Sequence, residues 1–192
     1  KCDIRKFFDS VNHSILINLL EKYLGDTNTV WLLRRIIGSF SIVHGVGLPL
    51  GNVTSQLFAN IYLNELDQFL KYELRVDKYA RYSDDFAVVS NNVAYLVLIA
   101  EVARRFAKNY LNLDLHEKKL IIRKYSQGVD FLGYVLFPTH TIIRTRTKRR
   151  MLTRVAQGTL TEPALHSYEG MLGHCNGYKL SLLLRNPCNM RY

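Results

Sequence analysis

An acidic doublet sits between two short apolar runs in Lys78-Tyr-Ala-Arg-Tyr-Ser-Asp-Asp-Phe-Ala-Val-Val-Ser90. Tyr79, Tyr82, Phe86, Val88 and Val89 have the aromatic and β-branched texture of strands. The stretch therefore predicts a β-hairpin with Asp84 and Asp85 at its tip, next to Ser83. Two adjacent carboxylates repel each other, and the local sequence gives them no obvious hydrogen-bonding purpose. A divalent cation removes the conflict, because hard oxygen donors suit Mg²⁺. Taken alone, the same residues also describe a solvated Asp-Asp turn.

Upstream, Cys2 to Phe8 reads as a strand and its exit, with Asp3 near its start and Asp9 at its end. Ser10 or Asn12 can cap a helix whose apolar face is Ile15, Leu16, Leu19, Leu20 and Tyr23, and Gly25 sits where a left-handed cap would end it. Asp26 or Thr27 caps a second helix through Val30, Trp31, Leu33, Ile36 and Ile37. A backbone-rich loop with Gly45, Gly47, Pro49 and Gly51 follows, then a long helix from about Thr54 to Leu74. Beyond the acidic hairpin comes a helix from about Val93 to Tyr110. Short strands are expected at Leu113–Leu115, Leu120–Arg123 and Val129–Phe137. This order predicts an α+β fold, an antiparallel sheet with helices packed on one face.

Charge narrows the partners. Lys and Arg number 26 against 16 Asp and Glu, a net +10, which favours a polyanion, nucleic acid ahead of an acidic membrane surface. Residues 139–192 hold nine of the basic residues (Arg144, Arg146, Lys148, Arg149, Arg150, Arg154, Lys179, Arg185 and Arg191) against Glu162 and Glu169. We expect them to begin a second, helical domain after a first domain at 1–138. Cys2, Cys175 and Cys188 lack a paired spacing, so free thiols in a reducing compartment are expected rather than a disulfide framework or a zinc site. His174 beside Cys175 reads as structural. No signal peptide and no bilayer-length apolar run is present. The opening Lys1-Cys2-Asp3-Ile4 reads as the middle of a strand, the mark of a fragment of a longer chain.

In an antiparallel sheet the Asp3 strand and the hairpin can be neighbours, which would bring Asp3, Asp84 and Asp85 to one edge. Three carboxylates in a basic protein suit two metal ions and in-line phosphoryl transfer.

These stretches resemble the palm motifs of reverse transcriptases, in family order over residues 1 to about 137. Asp3-Ile-Arg-Lys-Phe-Phe-Asp9 is similar to the first motif, and Gly47-Leu-Pro-Leu-Gly-Asn-Val-Thr-Ser-Gln56 to the second. Tyr82-Ser-Asp-Asp85 is similar to the Tyr-x-Asp-Asp box, Leu113-Asp-Leu-His-Glu-Lys-Lys119 to the fourth motif, and Phe131-Leu-Gly-Tyr134 to the primer-grip hairpin. Ser167-Tyr-Glu-Gly-Met-Leu-Gly-His174 resembles the first thumb helices. The resemblance implies a ferredoxin-like polymerase palm and the start of a helical thumb. It further implies an RNA template, a DNA primer and deoxynucleotides as partners, in a cytoplasmic setting, prokaryotic or phage-encoded.

Roles follow by position. Asp3 and Asp84 would be the principal ligands of two Mg²⁺ ions, or of Mn²⁺, with Asp85 a weaker third and Ile4 beside them. Backbone N–H groups of Arg5, Lys6, Phe7 and Phe8 would cradle the triphosphate. Phe8 would exclude the 2′-hydroxyl of a ribonucleotide, while Phe7 reads as core. Leu50 and Gly51 would border the templating pair, and Ser55 and Gln56 would contact template or nucleotide. Lys119, with Lys118 as rival, would give a proton to the departing pyrophosphate. Phe131, Leu132, Gly133 and Tyr134 would grip the primer, and the basic tail would follow the nucleic-acid backbone.

Two positions depart from the common retroviral and retron pattern, Leu50 in place of Gln and Gln56 in place of Pro. With Asn60-Ile-Tyr-Leu-Asn64 they resemble the enzymes of diversity-generating retroelements, which copy RNA with errors at adenines and work with a small basic accessory protein. Group II intron and retron enzymes are the alternatives. An RNA-dependent RNA polymerase is disfavoured by Phe8, and an inactive nucleic-acid-binding palm by the three intact aspartates. The fingers of the family lie upstream of the first motif, so these 192 residues alone are expected to extend primers poorly.

Overall fold

A computed structural model describes residues 1–185 and divides into two compact units, Lys1–Ile122 and a second beginning at Arg123. In the first unit, β1 (Cys2–Asp3) leads through a left-handed Lys6 into the short helix α1 (Phe7–Ser10). Asn12 then starts α2 (His13–Tyr23), its side chain accepting from the Ile15 N–H at 3.1 Å. Asp26 starts α3 (Thr27–Gly38) in the same way, accepting from the Thr29 N–H at 2.8 Å. These caps satisfy amides that have no partner within the helix. α4 (Val53–Gln68) runs on through a wider π turn at Phe69–Glu73. The hairpin β2 (Tyr79–Tyr82) and β3 (Asp85–Val88) precedes α5 (Val93–Leu111).

The three strands form one antiparallel sheet in the order β1-β3-β2. The sheet shares a core with the helices: Phe86 from β3 lies with Phe7, Leu16, Phe58, Tyr62, Leu66, Ala103 and Ala107. Tyr62 is fully buried, and its hydroxyl donates to the Leu111 carbonyl at 2.6 Å while accepting from the Asn12 N–H at 3.4 Å. Burial pushes its phenol up to about 12, so it stays a donor at any physiological pH. The α+β class expected from the element order is the one observed.

Local expectations need correction in three places. Gly25 does not end α2: Leu24 caps it in an extended conformation, and the left-handed cap occurs instead at Asn112 after α5. Leu113–Leu115 makes only one bridge, Leu115 with Ile4, and 120–123 forms no strand. Backbone bonds do run along that edge, from the Arg5 N–H to the Asp114 carbonyl, from the His116 N–H to the Asp3 carbonyl and from the Ile121 N–H to the Lys1 carbonyl, but the 3-10 turn at Glu117–Lys119 breaks the extended run between them. The acidic tip is also shorter than expected, because Asp85 already belongs to β3.

In the second unit, β4 (Val129–Phe131), β5 (Tyr134–Leu136) and β6 (Thr141–Ile143) form an antiparallel meander. Helices α6 (Thr145–Ala156), α7 (Glu162–Leu172) and α8 (Tyr178–Arg185) follow. Ile143 packs with Met151, Val155, Tyr168, Leu172, Leu180 and Leu184. This shared core explains why the contact boundary falls at Arg123, ahead of the change in composition at Pro138. Gly128 enters β4 at φ +78, where a Cβ would stand 2.5 Å from Val135 and 2.8 Å from Phe137. No other residue fits that backbone without displacing both neighbours. Helix α6 buries Met151 and Val155 and leaves Arg146, Lys148, Arg149, Arg150 and Arg154 exposed. Cys188 and Arg191 lie outside the described residues.

Candidate active site

Register brings the acidic residues together. β1 lies antiparallel to β3 with Asp3 directly opposite Asp85, so their side chains leave the same face of the sheet. Asp84 occupies the second loop position of the β2–β3 turn, and its carbonyl accepts from the Ile4 N–H at 3.2 Å. Ser83, the first loop position, has φ +52, while Asp84 does not share the positive φ, the sign pattern of a type II′ turn. Glycine is the usual residue there; a serine costs about 1 kcal/mol.

Two lysines complete the charge balance. The Lys119 Nζ donates to both oxygens of Asp3, at 3.0 and 2.9 Å, and the Lys1 Nζ donates to Oδ2 of Asp85 at 2.9 Å. Asp84 has no such partner among the described residues. Burial first, then the charges of Asp3 and Asp85, hold its carboxyl above the usual carboxylate range, against the pull of its own N–H and of Lys119. Lys119 is itself raised, chiefly by its hydrogen bonds to Asp3. Lys118, the rival position, is exposed in a groove with Arg5, Asp114 and His116 instead.

The donor set suits a hard cation: three carboxylates, with Oδ1 of Asp85 buried and without a hydrogen-bond partner. A buried carboxylate oxygen without a donor is what an ion would satisfy. As they stand, however, no three His, Cys, Asp or Glu side chains among the described residues gather closely enough to hold a metal. Lys1 and Lys119 occupy Asp85 and Asp3 in the way a cation would.

The remaining predicted positions divide between reachable and buried. Phe8 is half-buried and edge-on to Phe7, with ring centroids 5.3 Å apart. Phe7 and Ile4, counted among the nucleotide-binding residues, are buried in the core and offer only backbone. The Arg5 N–H is committed to the Asp114 carbonyl at 2.8 Å, so it is not part of an amide cradle; Lys6 and the first turn of α1 remain. Ser55, expected to touch template or nucleotide, is 1 % exposed with its hydroxyl unpartnered, because it faces the packed side of α4. One position further on, Gln56 is exposed, and Leu50 stands 75 % exposed beside Gly51, whose φ is +83.

The second-motif loop is tied to the first by backbone bonds, from the Gly47 N–H to the Val11 carbonyl and from the Leu48 N–H to the Phe8 carbonyl. Gly47 has φ +111, and its carbonyl takes a bond of 2.7 Å from the buried His13 ring. The loop is therefore fixed to the segment that carries Asp3. In the second unit, Leu132 and Gly133 form the β4–β5 turn, both with positive φ, between paired Phe131 and Tyr134. The Tyr134 hydroxyl donates to the Met171 carbonyl on α7 at 3.0 Å.

Sequence reasoning overlooked two features. Lys1 shares the alternation of Asp3 along the strand, which was the available signal for its pairing with Asp85. Arg81 and Asp67 carry no such signal: their bidentate pair joins β2 to α4, elements whose contact a sequence does not display.

Comparison with known proteins gives a consistent result. The family model described as reverse transcriptase (RNA-dependent DNA polymerase) matches residues 1–136. Protein YkfC of Escherichia coli is 29% identical over 184 residues, covering 76% of this chain and 47% of that protein. The group II intron-encoded protein LtrA of Lactococcus lactis is 24% identical over 200 residues, covering 69% of this chain and 33% of that protein. The chain thus spans less than half the length of these relatives. No described helix is long and apolar enough to cross a membrane.

Proposed function

Because the chain belongs to the reverse transcriptase family of RNA-dependent DNA polymerases, we propose that the full-length protein extends a DNA primer on an RNA template by two-metal nucleotidyl transfer. The observation that carries this reading is the register pairing Asp3 with Asp85, beside an Asp84 whose carboxyl is raised first by burial and then by those two charges. Asp3, Asp84 and Asp85, with the Ile4 carbonyl, would hold Mg²⁺ or Mn²⁺. Such ions make the primer hydroxyl a better nucleophile and neutralise charge on the reacting phosphate. The primer 3′-hydroxyl gives up its proton to solvent, its oxygen bonds to the α-phosphorus of the deoxynucleotide, and the bond to pyrophosphate breaks. Lys119 supplies a proton to that leaving group. Lys6 and the first-turn amides of Phe7 and Phe8 bind the triphosphate, Gln56 and Leu50 border the new base pair, and the hairpin at Phe131–Tyr134 grips the primer. The exposed basic residues of α6 follow a phosphate backbone, so binding weakens steeply with salt.

The test is incorporation of deoxynucleotides on a primed RNA by the full-length gene product, with and without chelator. Absence of chelator-sensitive extension would sink the proposal. Replacing Phe8 with Ala should open space under the sugar and raise ribonucleotide incorporation relative to deoxynucleotide by about tenfold or more. An unchanged ratio in the same assay would return Phe8 to a packing role.

For the biological setting, Leu50 and Gln56 support a diversity-generating retroelement, with a small basic accessory protein as partner. Similarity to an intron-encoded protein favours a group II intron enzyme as the second reading. Leu has no amide to hydrogen-bond near the nascent pair. Under the first reading, Leu50→Gln therefore lowers misincorporation opposite adenine in primer extension; equal error rates favour the second. A near-repeat pair in the flanking DNA, differing at adenines, would decide independently.

A further inference from the structure

Both peptide groups flanking Asp84 are clamped from outside the turn. On one side, the Asp84 carbonyl accepts from the Ile4 N–H, next to Asp3 on the neighbouring strand. On the other, the Ser83 carbonyl accepts from Nη1 of Arg81 at 3.0 Å. That guanidinium is itself fixed. Its Nε and Nη2 donate to the two oxygens of Asp67 on α4 at 2.7 and 2.6 Å, and Nη1 also reaches the Asn60 Oδ1 at 3.4 Å. The Tyr79 hydroxyl holds the same Asp67 at 2.5 Å, and the Arg81 side chain is only 10% exposed.

A buried fork anchored this fully is over-built for a sheet edge. Its one bond toward the site ends on the carbonyl of the residue with strained positive φ, immediately before Asp84. A serine held at φ +52 is strained, and relaxing that angle would turn the next carboxylate in a different direction. α4 also begins at Val53, beside Gly51 and with Gln56 in its first turns, so the same helix borders the second motif.

We propose that Arg81, held by Asp67, is a positioning residue that fixes the Ser83–Asp84 peptide and thereby aims the Asp84 carboxylate. This rests on the polymerase reading above. Arg81 touches no reacting atom and acts only through the turn. Lysine cannot replace it, because a single ammonium cannot grip both Asp67 oxygens in a plane and still reach Ser83.

The test compares Arg81→Lys with Tyr79→Phe in the full-length protein. Tyr79→Phe loosens the same buried cluster but leaves the fork and its bond to Ser83. Two readouts are taken: steady-state kinetics on a primed RNA, and hydrogen exchange of the peptide spanning 82–86. We expect Arg81→Lys to lower kcat about tenfold to a hundredfold with the deoxynucleotide KM changed less than threefold, and to speed exchange at the turn. Tyr79→Phe should lower the melting temperature while leaving kcat within about threefold. Should Arg81→Lys not fold, Asp67→Asn, which keeps the shape and one acceptor oxygen, is expected to give the same pattern at about three- to tenfold. Unchanged exchange at 82–86, or kcat losses that merely track melting temperature in both variants, would overturn the assignment. If the parent protein extends no primer, the polymerase reading falls, and the exchange arm still decides: faster exchange in Arg81→Lys upholds the clamp, and equal exchange removes it.

Discussion

Asp84→Asn is expected to abolish primer extension, by about a thousandfold or more, while leaving the metal-free fold at least as stable as before at pH 7. The first part follows from charge. An amide keeps the size of the side chain and removes the anion that, with Asp3 and Asp85, would balance divalent ions at the reacting phosphate. The second part follows from the direction of the Asp84 shift. Its carboxyl is held above the usual range, first by burial and then by Asp3 and Asp85. Ionising it therefore costs folding free energy. Its favourable contribution is present while it is protonated and is lost as pH rises through its folded value. Asparagine mimics the protonated form. In thermal melts with chelator, the variant should match or exceed the parent at pH 7, and the gap should close below about pH 3, where the carboxyl is neutral folded or unfolded. A variant that loses activity and also melts well below the parent at pH 7 would mean Asp84 is structural.

The hairpin that holds this residue was legible because two local signals agree there. Aromatic and β-branched residues alternate on both sides, and a short polar pair interrupts them. Capping was legible to within two candidates each, Ser10 or Asn12 and Asp26 or Thr27; Asn12 and Asp26 are the ones that accept from N–H groups three residues on. Pairing Asp3 with the doublet needed more than pattern; it rested on expecting β1 to lie beside β3, which the register bears out. Features set by distant packing were not legible. Gly25 has the right chemistry for a left-handed cap, yet α2 ends one residue earlier with its Leu24 N–H bonded to the Leu20 carbonyl. Residues 113–115 and 120–123 have the composition of strands and do bond to the β1 segment, but the 3-10 turn at Glu117–Lys119 keeps them from forming a regular ladder. Ser55 looked accessible at a helix mouth, and burial of that face against the core was invisible. The Arg81–Asp67 fork spans 14 residues and two element types, so no periodicity announces it.

Lys119→Gln is expected to lower kcat for nucleotide addition about a hundredfold, the range that loss of a positioned proton donor produces. It should do so with little change in stability. The Lys119–Asp3 pair, though well formed at 2.9 Å, is exposed on the lysine side, and exposed pairs contribute about 0–1 kcal/mol. Hydrogen bonds to Asp3 raise the lysine above its ordinary range, so whatever it contributes is present at neutral pH and is lost only as pH climbs through that raised value. The ammonium is therefore charged at the pH of the assay, as a donor must be. Two roles nevertheless fit the same contact: giving up a proton, or balancing the charge of Asp3. Lys119→Arg separates them. Arginine keeps the cation and can still pair with Asp3, but its guanidinium does not release a proton near neutral pH. If the proton matters, Lys119→Arg stays nearly as slow as Lys119→Gln in single-turnover extension, while both bind template-primer normally. If only charge balance matters, arginine restores kcat to within a few fold, and the donor must be sought among other groups, with Lys118 in the neighbouring groove the first to replace.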